Sequence, residues 1–420
     1  MTDHFDALES RDPAAREADF FARFVPFLGQ AMSEAPGLKR HLGSVDPLAI
    51  ASRAALAGLP VLRKPALMAM QAADPPFGGF VPASALAGAR VFMSPGPVWE
   101  PQAPGHDPWN AARALSAAGF AKGDIVVNCF GYQLAPGGFI LDEGLRALGC
   151  TVFPAGPGNT DTQIAAIAAL KPAGYVGTPD FLKVILDKAA EAGTDTTSIG
   201  KALVSGGALF ASLRDDYARR GIAVLQAYAT ADIGVIAYES AVAGTPCEGL
   251  IVNEDILVEI VRPGTDEPVP DGEVGEVVVT TLNPAYPLVR FGTGDLSAVL
   301  AGTSPCGRTN IRLKGWMGRA DQRTKVKGMF VDPAQIAAIV RAVPGIARAR
   351  LVVARDGEQD AMTLEVEPGQ VEPGKGGTLD EAMLVATLQA ETRLKGAVEI
   401  VAAGSLPNDG KVIDDQRDYE

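Results

Sequence analysis

The chain has 420 residues, 47% hydrophobic and 21% charged. That is enough for two or three domains and a large core, and too apolar for global disorder. Its 37 Lys+Arg against 50 Asp+Glu leave a formal net charge of −13, which excludes a general binder of nucleic acid or of anionic membrane. No stretch reaches the roughly 18 apolar residues of a spanning helix, and the opening MTDHFDALESRD is acidic rather than signal-like, so a cytoplasmic protein is expected. Cys129, Cys150, Cys247 and Cys306 are far apart and read as reduced thiols. With only His4, His41 and His106, a His-rich metal site is excluded and Ser-His-Asp hydrolysis is disfavoured.

Residues 1–70 read as helices joined by loops, with DPAAREADFFARFVPFLGQAM close to the helical period. Residues 71–110 are rich in Pro and Gly and read as an ordered or functional loop. From 111 to 230 short apolar strands alternate with helices: DIVVNCF, LDEGLRALG, CTVFPA, TQIAAIAALK, AGYVGT, DFLKVILDKAAEAG, ALVSGG, LRDDYARR and IAVLQAY. Such alternation predicts a helix-covered, mainly parallel sheet, with function at the C-terminal strand ends. SGG and AYATADIG fall there. From about 235 to 318 the pattern becomes strand-like and predicts a β subdomain. A small α+β unit follows, with Thr378 and Glu381 as a capping box for its last helix. The fold class is therefore α/β, with an N-terminal domain over 1–318 and a C-terminal domain over 322–420.

Three segments suggest chemistry. RFGTGDLS (290–297) places a carboxylate beside glycines, where it can approach ribose hydroxyls; otherwise it is a plain turn. GRADQRTKVKG (318–328) is a basic, Gly-bearing segment at the domain boundary, or else a solvated linker. LPNDGKVIDD (406–415) carries Lys411 on a short loop, able to reach a distant site. GPGNTD (156–161) is not a dinucleotide fingerprint.

These segments, with LAGLPVLRK (56–64), PFGG (76–79), SPG (94–96), NCFGYQL (128–134), GCTVFPAGPGNT (149–160), GTPDFLK (177–183), SGG (205–207), AYATADIG (227–234), GRAD (318–321), KVKG (325–328) and GK (410–411), lie in the order of the phenylacetate–CoA ligase family. The chain resembles that family, within the adenylate-forming superfamily of acyl-CoA synthetases, adenylation domains and luciferases, over essentially its whole length. The resemblance implies an AMP-forming aryl–CoA ligase using ATP, Mg2+ and CoA, with a small C-terminal domain that rotates between two half-reactions. Its implied nucleotide contacts are Ser94, Gly96, Ser205, Gly206, Gly207, Ala227, Tyr228, Ala229, Thr230, Asp295 and Arg319. Among them Tyr228 would stack on adenine, and Asp295 would bind the ribose hydroxyls. Lys411 would serve the adenylation step, Asp232 would bind Mg2+, and Asp321 would be the hinge. Lys325, Lys327 and Gly328 would face CoA, and Phe130, Tyr132 and Gly207 would line the aryl-acid pocket. A homodimer is the family expectation.

The sequence departs from the family where phosphates are handled. The family loop reads roughly S-S-G-T-T-G-K-P; here it is Ser94-Pro95-Gly96-Pro97-Val98-Trp99-Glu100-Pro101. Hydroxyls and backbone donors are lost, and a lysine becomes Glu100. That reversal should weaken ATP binding unless Glu100 points away or binds Mg2+. Asp232 stands one methylene short of the family's glutamate, and Ala231 has no hydroxyl. Of the four positions of a Cys/His zinc site found in some members, the chain offers Ser240, Ile251, Ser304 and Cys306, so no zinc is expected. Two other readings stay open: a non-adenylating relative that binds nucleotide, acyl-AMP or CoA, and an adenylating enzyme that loads a carrier protein. The acid is not named by the sequence; arylacetate, benzoate, aminobenzoate and indoleacetate all remain.

Overall fold

A computed structural model describes residues 4–207, 209–322, 324–327, 329–356, 359–369, 379–407 and 411–417. The chain divides into two compact units. The first comprises Met1–Glu273, Val277–Thr293 and Ala298–Gly315; the second comprises Val274–Glu276, Gly294–Ser297 and Trp316–Glu420.

In the first unit, Asp12 accepts the Ala15 amide at 3.0 Å and Pro13 takes the first helical position, so α1 (Pro13–Glu34) has a defined start. Phe20, Phe24, Leu28 and Ala31 recur at three- and four-residue spacing and are buried, which makes one apolar stripe. Lys64 opens α2 (Lys64–Ala73). The Pro-rich stretch expected to be a loop instead holds a hairpin, β1 (Val91–Ser94) antiparallel to β2 (Val98–Pro101), in register Ser94 to Val98 and Phe92 to Glu100. Its prolines do not prevent this, because Pro95 and Pro97 lie in the turn and Pro101 at the strand end, where few ladder donors are needed.

The alternating region forms β3 (Ile125–Asn128), α3 (Gly137–Ala147), β4 (Thr151–Pro154), α4 (Thr160–Leu170), β5 (Gly174–Gly177), α5 (Pro179–Glu191), β6 (Lys201–Val204), α6 (Ala211–Arg219), β7 (Ala223–Thr230) and β8 (Gly234–Tyr238). Strands β4, β3, β5, β6 and β7 pair in that order, all parallel. Successive residues point to opposite faces. Val127, Tyr175, Ala202, Val204 and Val224 pack with α4 and α5, while Val126, Val176, Leu203 and Leu225 pack with α3 and Ala111–Ala117. The strands read as continuous apolar runs because both faces are covered. β8, β9 (Leu250–Val252) and the short strands Arg312–Leu313 and Val299–Leu300 continue this sheet antiparallel, so it is nine-stranded among the described residues. Strands β10 (Ile256–Val261), β11 (Gly275–Thr281) and β12 (Phe291–Ser297) form a second sheet, completed by Leu62–Arg63. The residues after 235 thus both extend the parallel sheet and build a β layer.

The second unit contains a hairpin, β13 (Thr324–Val326) with β14 (Met329–Val331). It continues through α7 (Pro333–Ala342), β15 (Ile346–Asp356), β16 (Gln359–Pro368), α8 (Glu381–Thr392), β17 (Ala397–Ile400) and β18 (Ile413–Asp415). The sheet order is β17-β16-β15-β18, with β15 and β16 antiparallel and the outer strands parallel to their neighbours. Ile336, Ile339, Leu351, Val353, Leu364, Leu384 and Leu388 form its core. The cap of α8 is Asp380, which accepts the Ala382 amide at 3.0 Å. Thr378, expected in that role, lies outside the described residues.

Candidate active site

Parallel pairing brings the C-terminal ends of β3, β5, β6 and β7 to one edge of the sheet. The Ser205 amide donates to Gly177 O at 3.1 Å and carries the ladder past β6. Gly206 then has φ +71°, and a Cβ there would lie 3.5 Å from the Phe130 ring. The sheet therefore brings together Ser205, Gly206 and Phe130, which lie far apart in sequence. Phe130 is held by its amide, which donates to Asn128 Oδ1 at 3.0 Å. Asn128 Nδ2 donates to the Tyr132 hydroxyl at 2.8 Å, and that hydroxyl donates to Asp142 Oδ2 at 2.8 Å. Burial, then the Asp142 carboxylate, pushes the Tyr132 hydroxyl well above its ordinary pKa. Tyr132 packs edge-on to Phe139 with ring centres 5.1 Å apart, and Phe139 lies 5.4 Å from Phe92. Asn128, Asp142 and Phe139 were not singled out in the sequence. Each is remote from the SGG turn in the chain and joins this network only through the fold.

The β7–β8 hairpin carries the second group. The Tyr228 hydroxyl donates to Thr293 Oγ1 at 3.1 Å. Ala227 is buried, and Ala229 and Thr230 are half-buried. Gly234 closes the turn with φ +93°, and a Cβ there would sit 2.5 Å from Trp109. Asp232 lies in that turn with its side chain fully buried.

Glu100 meets Asp232 here. It is only 1% exposed, and its Oε1 accepts from Ser94 Oγ at 2.6 Å. Burial and the facing Asp232 carboxylate push Glu100 up to about 8. Lys64 Nζ pairs with Asp232 Oδ2 at 2.9 Å, from the start of α2. The hairpin turn thus points Glu100 into the site, beside the aspartate expected to bind Mg2+. Sequence reading gave Lys64 no role; its one signal was its place at the end of LAGLPVLRK. Among the described residues, Glu100 Oε2, Thr230 Oγ1 and both Asp232 oxygens are buried without a regular hydrogen-bond donor, apart from the Lys64 ammonium on Asp232 Oδ2, and the Glu100 and Asp232 carboxyls lie within hydrogen-bonding reach of each other. Orphaned oxygens concentrated in this way fit a cation and phosphate better than a closed structural cluster. Among the described residues, no group of three or more His, Cys, Asp or Glu side chains is arranged to hold a metal. Two carboxylates with water and phosphate oxygens are nevertheless an ordinary Mg2+ environment.

Gly96 lies in the β1–β2 turn, where a Cβ would stand 3.3 Å from Met68 Sδ. Gly207 packs near Pro179.

The second unit joins Asp295 and Arg319. Arg319 Nη1 lies 3.3 Å from Asp295 Oδ1, which also accepts from Trp316 Nε1 at 3.0 Å. Gly294, with φ +75°, leaves room for that guanidinium: a Cβ would stand 2.7 Å from Arg319 Nη2. Asp321 belongs to the short turn Ala320–Gln322, and Lys325 to β13. The Lys327 amide donates to Asp360 Oδ2 at 2.7 Å; Gly328 lies outside the described residues. Lys411 Nζ is 2.9 Å from Asp414 Oδ1. Lys411, Gln416 and Arg350 together hold the Asp414 carboxyl down at about 2, with Lys411 contributing most.

Of the four zinc-site positions, Ser240 and Ser304 both hydrogen-bond Cys306 Sγ at 3.1 Å, and Ile251 belongs to the core. Neutral hydroxyls and the sec-butyl side chain of Ile251 are not zinc ligands.

A family model described as AMP-binding enzyme matches residues 144–285. Among curated proteins, the chain is 33% identical over 308 residues to the phenylacetate-coenzyme A ligase of Aromatoleum evansii, covering 70% of this chain and 68% of that one. It is 29% identical over 399 residues to the phenylacetate-coenzyme A ligase of Thermus thermophilus, covering 92% and 86%. Among solved structures, 2-hydroxyisobutyryl-CoA ligase in its postadenylation state superposes with TM-score 0.78 at 25% identity, over 97% of this chain and 91% of that one. ATP-bound MatB from Rhodopseudomonas palustris shares the fold at TM-score 0.55 and 17% identity, over 77% and 65%.

Proposed function

Because the chain belongs to the phenylacetate–CoA ligase family of AMP-binding enzymes, and is by that membership an AMP-forming acid–CoA ligase, we propose that its acid is a small aromatic one. The observation that carries this reading is the side-chain-free Gly206 set against the Phe130 ring at the strand ends. In this reading the acid's ring lies against Phe130 where Gly206 carries no side chain, with Tyr132, Phe139 and Phe92 packed as an aromatic cluster nearby in the chain's fold. An aryl ring stacks or packs edge-on in such surroundings.

The reaction has two steps. An oxygen of the acid attacks the α-phosphorus of ATP; the bond to the bridging oxygen breaks, and pyrophosphate leaves. The CoA sulfur, after losing its proton, then attacks the acyl carbonyl and AMP leaves. Both steps depend on holding charged partners in place. In this reading Ser205–Gly207, Ala227–Thr230 and the Tyr228 ring hold the adenylate, with Ser94 and Gly96 at the phosphate end. Asp295 and Arg319 hold the ribose. Lys411 steadies the carboxylate and α-phosphate in the first step. The C-terminal domain, residues 322–420, turns about Asp321, and Lys325, Lys327 and Gly328 meet CoA in the second. Asp232 would hold Mg2+, which neutralises phosphate charge when bound.

The test is acid-dependent pyrophosphate release with ATP, Mg2+ and a panel of aryl and short aliphatic hydroxy acids, with CoA present or absent. Aryl acids should give acyl-CoA with the higher kcat/KM. Preference for a short hydroxy acid would overturn the aromatic assignment. Acyl-AMP that never reaches CoA would point to a carrier-protein acceptor.

A further inference from the structure

Glu100, which stands where the phosphate loop of this family is expected to carry a lysine, is a buried carboxyl that does not turn away from the site. Glu100 reaches the Asp232 turn from β2, with Ser94 Oγ on one of its oxygens and the Asp232 carboxyl within hydrogen-bonding reach. Asp232 meets it with two buried oxygens, one of them ion-paired with Lys64. Among the described residues one lysine stands beside these two buried carboxyl groups, so both can be ionised together only when a further positive charge joins them. Glu100 is 1% and Asp232 5% exposed.

We propose that Glu100 and Asp232 together form a divalent-cation site, so that the loop grips phosphate through a metal ion rather than through a lysine. Lys64 holds Asp232 Oδ2 and Ser94 holds Glu100 Oε1, which leaves Glu100 Oε2 and Asp232 Oδ1 as the oxygens that neither engages, on two carboxyls within hydrogen-bonding reach of each other. Hard oxygen ligands of this kind suit Mg2+ or Mn2+, with the remaining positions left to water and substrate phosphate. The site gives the loop its positive charge back without a lysine. The inference rests on the ATP-using reading for its purpose, but not for its geometry.

The experiment is a titration of the full chain with Mn2+ alone, read by the electron paramagnetic resonance of the free aquo ion, with Mg2+ as competitor. Wild type should bind one ion per chain. Asp232→Asn should abolish that binding, and Glu100→Gln should weaken it by about tenfold or more. Glu100→Lys should also remove it, whereas Glu191→Gln, on the exposed end of α5, should leave it unchanged. Circular dichroism establishes that each variant is folded. Should Glu100→Gln fail to fold, Ser94→Ala, which frees the Glu100 carboxyl, should still weaken binding severalfold. No saturable binding to wild type, or equal affinity in wild type and Glu100→Gln, overturns the proposal. Acid-dependent pyrophosphate release is measured separately. Release that persists while Glu100→Gln leaves Mn2+ affinity unaltered rejects the cation site alone. Mn2+ binding without release for any acid rejects the ATP-using reading and leaves the cation site standing.

Discussion

Lys64 sits where one residue's loss propagates furthest. It is the cation paired with Asp232, whose side chain is fully buried, and removing one partner of such a pair leaves the other charge uncompensated. Lys64→Met should lower stability by about 2 kcal/mol or more, toward the low end of the buried-pair range because the lysine stem is partly exposed. Adding Asp232→Asn should recover much of that loss. Chemical denaturation of the two single variants and the double variant measures the coupling; additive effects would mean the pair does not act as one. At the strand end, Gly206→Ala forces a side chain at φ +71° toward Phe130. It should raise KM for the acid more than KM for ATP, since the new methyl would stand 3.5 Å from the Phe130 ring proposed to meet the acid. Steady-state kinetics with each substrate varied separates the two.

At the scale of elements, the β7–β8 hairpin positions Asp232, and Gly234 is what lets it close. A methyl group at 2.5 Å from the Trp109 backbone and side chain has no flexible neighbour to displace. Gly234→Ala should therefore cost about 2–4 kcal/mol by overpacking and by strain at positive φ, and should impair activity beyond its effect on folding because the Asp232 turn shifts. Thermal melting and kcat measured on the same preparation check both. The β1–β2 hairpin shows why part of the site escaped sequence reading. Three prolines among eight residues suggest a loop, and local chemistry does not reveal that the prolines all fall at the turn and the strand end. The direction in which Glu100 points depends on that hairpin, so its partnership with Asp232, 132 positions later in the numbering, follows from tertiary pairing. Lys64 was missed for the same reason: a lysine at the start of a helix looks like solvated surface until the opposing carboxylate is in place.

For the whole molecule, the two-step reading assigns Lys411 to adenylation and KVKG to thioester formation. Lys411→Ala should reduce acid-dependent pyrophosphate release by at least about a hundredfold, in line with loss of a charge-stabilising group. Conversion of supplied acyl-AMP and CoA to acyl-CoA should change far less. Single-turnover assays of the two half-reactions distinguish this from a general structural defect, which would slow both. The sequence by itself determined the helix-covered parallel sheet, because strands buried on both faces must be continuously apolar and amphipathic helices must separate them. It also determined the places of SGG, AYATADIG, RFGTGD and Lys411 in the chain, since turn chemistry and strand ends are local properties. The tertiary structure alone decided which distant residues meet: Phe130 with Gly206, Tyr132 with Asp142, and Glu100 with Asp232 and Lys64. Those meetings depend on strand order and register, and on the desolvation that turns an ordinary glutamate into a buried, incompletely paired carboxyl. No stretch of sequence states any of these by itself.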